Sequence, residues 1–147
     1  MAIESLDEVK LLSVQVDRLE RWWRPGALCI GDAAHAMSPV FGVGINYAIQ
    51  DAVAAAPLIT SALRAPDRDE ALDRACAAVQ ERRQAPTAAM QAMQRRVHQA
   101  ISTHGIAKIV DNPPTRRQQA ALRLILPILR RAAARLIGYG FRPERLH

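Results

Sequence analysis

The chain has 147 residues, half of them hydrophobic, 23% charged and only 4% aromatic. That is one domain's worth of sequence, long enough to bury a core, with the balance of an ordinary soluble globular protein. The net charge of +6 lies in the second half, because residues 1–64 hold 5 basic and 7 acidic side chains and residues 65–147 hold 15 and 7.

A basic half can be a nucleic-acid footprint. Here 14 of those 15 basic residues are Arg, set singly or in pairs along helical patterns, with only Tyr139 and Phe141 available to stack on bases. The charge therefore reads as a solvated face, with no nucleic-acid partner. Cys29 and Cys76 have neither metal spacing nor the pattern of a disulfide framework, which points to a reducing compartment. No apolar run reaches membrane-spanning length, and MAIESLDEVK lacks a signal-peptide pattern. The expected location is cytoplasmic.

In chain order, residues 9–17 (VKLLSVQVD) alternate, with Leu12, Val14 and Val16 on one face, and predict a half-buried strand. Pro25-Gly26 marks a turn, and residues 27–30 read as a fully buried strand, apolar throughout like a central strand of a parallel sheet. Residues 43–63 carry Ile45, Ala48, Ile49, Ala52, Ala56, Ile59 and Leu63 at helical spacing, a stripe whose alanines suit close approach to a sheet. Ala65-Pro66-Asp67 interrupts the chain, and Asp67 or Asp69 can cap the next helix. Helices are expected over 69–83 and 87–102, separated by Pro86, and over 116–137, interrupted or kinked at Pro127 and ended by Gly138 and Gly140.

The fold class expected is α/β: about two strands near the N-terminus, then a mostly α-helical segment. Two adjacent strands do not make a sheet covered on both faces. Residues 1–64 group as a strand plus a strand–loop–helix, and residues 65–147 as a helical segment.

The chemistry concentrates in GDAAHAMSPVFGVGIN, residues 31–46. In open α/β sheets ligands bind beyond the carboxyl ends of strands, where Asp32 sits. Its carboxylate is acceptor-only and suits a sugar or polyol hydroxyl. Gly42 and Gly44 let the backbone approach a planar ligand. The N–H groups near Gly44, Ile45 and Asn46 open a long helix and offer donors to negative charge.

Gly31-Asp32-Ala33-Ala34-His35, then Pro39, Gly42, Gly44 and Asn46 in this spacing, resembles a flavin motif of the para-hydroxybenzoate hydroxylase-like FAD monooxygenases, the flavin-dependent aromatic hydroxylases. The continuation AIQDAVAAAPLI and the closing ARLIGYGFRPERLH are similar to that family too, so the resemblance covers residues 9–147. It implies a partial, Rossmann-like FAD-binding domain, with FAD as cofactor and NADH or NADPH as reductant in the intact enzyme. It also implies a small organic, aromatic-type substrate. Gly31 and Asp32 would belong to the cofactor site, Asp32 binding a ribityl hydroxyl through its carboxylate, and Pro39 would lie against the reactive side of the isoalloxazine. Gly42 and Gly44 would give the ring room, while the N–H groups of Gly44, Ile45 and Asn46 would face its N1–C2=O2 edge. Phe41 stands where the family often has a small residue.

The sequence departs from the family by lacking GxGxxG and the middle Asp-Gly motif. It reads as the C-terminal third of such an enzyme, needing a missing N-terminal half for activity. The alternative is a non-catalytic, Arg-rich helical interaction protein that retains the motif as a relic. No side chain reads as an acid–base catalyst or a metal ligand. His35 reads as a structural histidine that orders the loop, Trp22 and Trp23 as core, and Asp51 as a residue satisfied by its surroundings.

Overall fold

The computed structural model describes residues 15–111 and 115–144. Most of the expected strand over 9–17 lies outside the described residues. Its described end carries no regular secondary structure; Asp17 N–H donates to Ala36 O, and just beyond it Leu19 N–H donates to Ala34 O.

The residues expected as a central parallel strand instead form one arm of a small hairpin. Strand β1 (Trp23–Arg24) pairs antiparallel with β2 (Ala27–Leu28), with Trp23 opposite Leu28 and Arg24 opposite Ala27. The Pro25-Gly26 turn is too short for anything but a hairpin, so it folds the apolar run back on the chain just before it. Ala27 is exposed rather than buried. Among the described residues this two-stranded sheet stands beside a helical remainder, so the sheet is antiparallel where a parallel one was expected.

Three helices follow: α1 (Gly44–Ala62), α2 (Arg68–Asp111) and α3 (Arg116–Tyr139). Helix α2 runs through Pro86 without the expected break, and α3 runs through Pro127. A proline inside a helix costs about 3 kcal/mol through a lost bond and a clash. Around Pro86 the buried side chains of Arg83, Thr87 and Met90 anchor both sides of it, and tertiary packing outweighs the local penalty.

Helix α1 lies along α2. Small side chains set the spacing at one end, where Ala62, Ala71 and Ala75 pack with Leu58, Ile59 and Leu72 around them. At the other end Val43, Tyr47 and Met90 form a second core, joined by Met37, Met93, Ile137 and Phe141. The buried residues of α1 are Tyr47, Gln50, Asp51, Ala54, Ala55 and Ala62. The stripe expected to be its core face is mostly exposed, with Ile45 at 70%, Ile49 at 56% and Leu63 at 53%.

The last residues are strapped onto α1. Tyr47 Oη accepts the Phe141 N–H at 3.0 Å, and Gln50 Nε2 donates to Tyr139 O at 3.0 Å. Gly140 ends α3 with φ +70, and a Cβ there would stand 2.8 Å from the Tyr47 ring. Only glycine satisfies both the helix stop and that contact.

Candidate functional site

The site begins at a turn that only glycine can make. Residues Gly31–Ala33 form a 3-10 turn with Gly31 at φ +59, and a Cβ on Gly31 would lie 2.9 Å from Ala48 Cβ. Ala34 and His35 donate their N–H groups to Gly31 O at 2.9 Å each, while Gly31 N–H donates to Asp51 Oδ2 at 3.0 Å. This arrangement leaves Asp32 exposed. Its carboxylate has no hydrogen-bond or ion-pair partner among the described residues.

Asp51, one of the residues behind that turn, is fully buried. His35 Nε2 lies 2.6 Å from Asp51 Oδ2, and Arg83 Nε of α2 donates to Oδ1 at 2.8 Å. Burial alone would raise the Asp51 carboxyl above its ordinary range. The hydrogen bonds from His35, Arg83 and the Gly31 N–H outweigh it and hold the carboxyl below that range. Trp22 covers the imidazole, with ring centroids 4.9 Å apart, and is itself buried. Arg83 reaches on to Arg142 O at 3.5 Å and to Glu144 at 3.8 Å. His35 Nδ1 and Arg83 Nη2 are buried with no hydrogen-bond partner among the described residues.

The loop then passes Pro39, which is exposed, into a second 3-10 turn, Val40–Gly42. Phe41 sits at φ 73 and Gly42 at φ +60, so two consecutive residues are left-handed, one of them a strained aromatic. Gly42 N–H donates to Pro39 O at 3.0 Å. Helix α1 starts two residues later with no side-chain cap. Its first bond is Tyr47 N–H to Val43 O, so the N–H groups of Gly44, Ile45 and Asn46 precede the helical ladder. A Cβ on Gly44 would lie 3.7 Å from Asp32 Oδ1. The exposed carboxylate and the open helix start are therefore neighbours.

A cavity of about 410 Å³ adjoins this loop, lined by Val16, Ser38, Pro39, Arg95, His98 and Gln99. A cavity of about 570 Å³ between the hairpin, α1 and α2 shares no residue with it.

An acceptor for polyol hydroxyls beside a helix start open to negative charge is a nucleotide-cofactor arrangement, and comparison with known proteins identifies the cofactor. A family model described as "FAD binding domain" matches residues 2–93. The chain belongs to this family of FAD-binding domains. Its relatives are named as monooxygenases, in agreement with the resemblance to the para-hydroxybenzoate hydroxylase-like flavin enzymes, and the cofactor is FAD. The chain is 37% identical over 138 residues to 6-methylpretetramide 4-monooxygenase of Streptomyces rimosus, covering 94% of this chain and 31% of that protein. It is 43% identical over 76 residues to kynurenine 3-monooxygenase of Xanthomonas euvesicatoria pv. vesicatoria, covering 51% of this chain and 15% of that protein. Over 39 residues it is 59% identical to kynurenine 3-monooxygenase of Xanthomonas oryzae pv. oryzae, covering 26% of this chain and 9% of that protein. The chain thus spans about a third or less of the length of these relatives. No solved structure matches it.

The residues present fit FAD. Asp32 is an exposed acceptor of the kind a polyol hydroxyl can donate to, and the start of α1 offers donors and positive potential to negative charge. Of the residues expected in the site, Asp32 and Gly44 come together and Pro39 stands exposed beside the cavity. Ile45 is exposed, whereas the Asn46 side chain turns away, its Nδ2 facing Ile137 O at 3.4 Å and Gly138 O at 3.5 Å. Among the described residues no cluster of His, Cys, Asp and Glu could hold a metal, and no helix is long and apolar enough to cross a membrane. Sequence reasoning missed Arg83, Gln91 and Gln94, buried polar residues of α2 that grip this loop and its surroundings. Their spacing on the face that carries Val79 and Met90 was the signal available.

Proposed function

We propose that this chain forms the ribityl and isoalloxazine side of the FAD site in a flavin-dependent monooxygenase. That enzyme uses NADH or NADPH to hydroxylate a small organic, aromatic-type substrate. The observation that carries this reading is the exposed, unpartnered Asp32 carboxylate beside the uncapped start of α1.

Each expected residue then has a task. Gly31 sets the turn that presents Asp32, and Asp32 accepts from the ribityl chain. Pro39 lies against the reactive side of the flavin, and Gly42 and Gly44 leave room for the ring. The N–H groups of Gly44, Ile45 and Asn46 face the N1–C2=O2 edge, where fixed dipoles stabilise negative charge on the reduced cofactor. Bound FAD supplies the redox and oxygen-transfer chemistry, and these residues bind and orient it.

The outward stripe of α1 supports a Rossmann-like setting. Ile45, Ile49 and Leu63 form an exposed apolar face opposite the one packed on α2, which suits a sheet supplied by sequence not contained in these 147 residues. The same reading assigns the pyrophosphate contacts and most of the substrate contacts to that sequence, because no GxGxxG occurs here. On this view residues 1–64 carry the flavin strand–loop–helix and residues 65–147 brace it.

An absorbance and fluorescence titration of the chain with FAD tests the reading. Saturable binding with a shifted flavin spectrum is expected, weakened on the order of tenfold in Asp32→Ala, since a hydrogen bond to a charged group is worth ~1.5–3 kcal/mol. A folded chain that leaves the flavin spectrum unchanged overturns it.

A further inference from the structure

Three glutamines of α2 hold the segments that lead into and through the flavin-facing loop. Gln80 accepts the Trp22 N–H at 2.9 Å and donates to Glu20 O at 2.8 Å. Gln91 donates to Asp17 O at 2.7 Å and to Ala36 O at 3.0 Å. Gln94 does something more specific. Its Oε1 accepts the Ser38 N–H at 3.2 Å, while its Nε2 donates to Ser38 O at 3.0 Å and to Val40 O at 3.1 Å.

Both amide hydrogens of Gln94 are thus used on the residues immediately before and after Pro39. The carboxamide is fully buried, so each bond forms away from water and losing it strands a backbone group. Proline has no N–H, so Pro39 has no backbone donor of its own with which to be anchored. Its carbonyl accepts the Gly42 N–H, a bond within the same turn that ties it to nothing outside the loop. The strained Phe41 lies two residues on, and the Val40 carbonyl bond to Gln94 falls one residue before that strain. Ser38 adds a link to the same helix through its Oγ, 2.7 Å from His98 Nε2, one turn beyond Gln94.

We infer that Gln94 is the positioning residue that sets Pro39 against the reactive side of the flavin, an inference that rests on the flavin placement proposed above. Gln94 does not touch the cofactor. It acts through Ser38 and Val40, fixing the height and tilt of the proline between them. Gln80 supplies the internal control, since it makes the same kind of amide contacts to backbone far from Pro39.

The test uses the full chain and two readouts. In hydrogen exchange followed by mass spectrometry without FAD, Gln94→Met speeds exchange across residues 38–42 by about tenfold or more and leaves α1 unchanged, as loss of its three bonds to Ser38 and Val40 predicts. Gln80→Met leaves 38–42 at the unsubstituted rate. At saturating FAD, Gln94→Met shifts the visible band of the bound flavin with little change in affinity, whereas Asp32→Ala weakens affinity and leaves the saturated spectrum as it was. Unchanged exchange at 38–42, or a bound-flavin spectrum identical to that of the unsubstituted chain, overturns the inference. If the unsubstituted chain binds no FAD, the flavin placement fails and carries this inference with it. If it binds and only the Gln94 spectrum is unmoved, this inference alone fails. Should Gln94→Met not fold, Gln94→Glu keeps the volume, leaves at most one of the two donors and carries the same two readouts.

Discussion

Asp51 of α1 and Arg83 of α2 meet in a 2.8 Å hydrogen bond with both side chains fully buried. The other carboxylate oxygen holds His35 and the Gly31 N–H, so a single group joins the long helix α2 to the turn that presents Asp32. Through Arg83 the same group connects to Arg142 O near the end of the described chain. The turn proposed to present Asp32 and the closing segment of the chain therefore share one buried anchor.

Removing one partner leaves the other buried with less compensation, His35 and the Gly31 N–H remaining to Asp51 and Glu144 at 3.8 Å to Arg83. Asp51→Asn and Arg83→Met are each expected to lower unfolding free energy by on the order of 3 kcal/mol, the range for a broken buried pair. Replacing both, as Asp51→Asn with Arg83→Met, should cost less than the sum of the two single changes. Urea denaturation of the variants measures this, and strictly additive losses would show that the pair is not coupled.

The pH dependence follows from the direction of the Asp51 shift. Its carboxyl is held below the ordinary range in the folded chain, so the unfolded chain takes up a proton first as pH falls. The stabilisation is complete above roughly pH 4, the ordinary carboxylate range, and is lost as pH drops through the lower folded value. The urea midpoints of the unsubstituted chain and of Asp51→Asn should differ at pH 6 and converge toward pH 3. A constant gap would place the stabilisation elsewhere.

The turn at Gly31, the exposure of Asp32 and the helix start at Gly44 were legible in the sequence, because a glycine, a carboxylate and an apolar helical stripe follow one another at short offsets. The helix over residues 43–63 was equally legible from its spacing. Its buried face was not, because apolar periodicity points at Ile45 and Ile49 while Tyr47 and Asp51 meet α2 and Gln50 meets the end of α3. Polar residues satisfied by one another leave no mark on a hydrophobic pattern. The same blindness hid Arg83, Gln91 and Gln94. Pro86 misled in the opposite sense, because a local penalty says nothing about the packing that offsets it. Residues 27–30 read as a parallel strand on apolarity alone, whereas the Pro25-Gly26 turn before them made an antiparallel hairpin.

Asp32 separates binding from folding. Its exposed carboxylate makes no hydrogen bond or ion pair among the described residues, so Asp32→Ala should change the unfolding free energy by no more than the ~0.5 kcal/mol of an ordinary surface substitution. The FAD titration should nonetheless weaken. A large loss of stability in Asp32→Ala would mean that the carboxylate is structural, and the binding result could not then be assigned to a missing contact.

Gly31→Ala should behave in the opposite way. The new Cβ would meet Ala48 at 2.9 Å, in a helix that cannot easily retreat because its other face is packed on α2, and the backbone would be left at φ +59. Strain of this kind costs about 1–3 kcal/mol, and relieving it would rotate the turn and pull the Gly31 N–H away from Asp51. The expected outcome is a lower urea midpoint together with weaker FAD binding, with faster exchange at the His35 amide that also bonds Gly31 O. If stability falls while FAD affinity stays unchanged, the turn is not what presents Asp32 to the cofactor, and the ribityl contact must be made from a loop position that does not depend on Gly31.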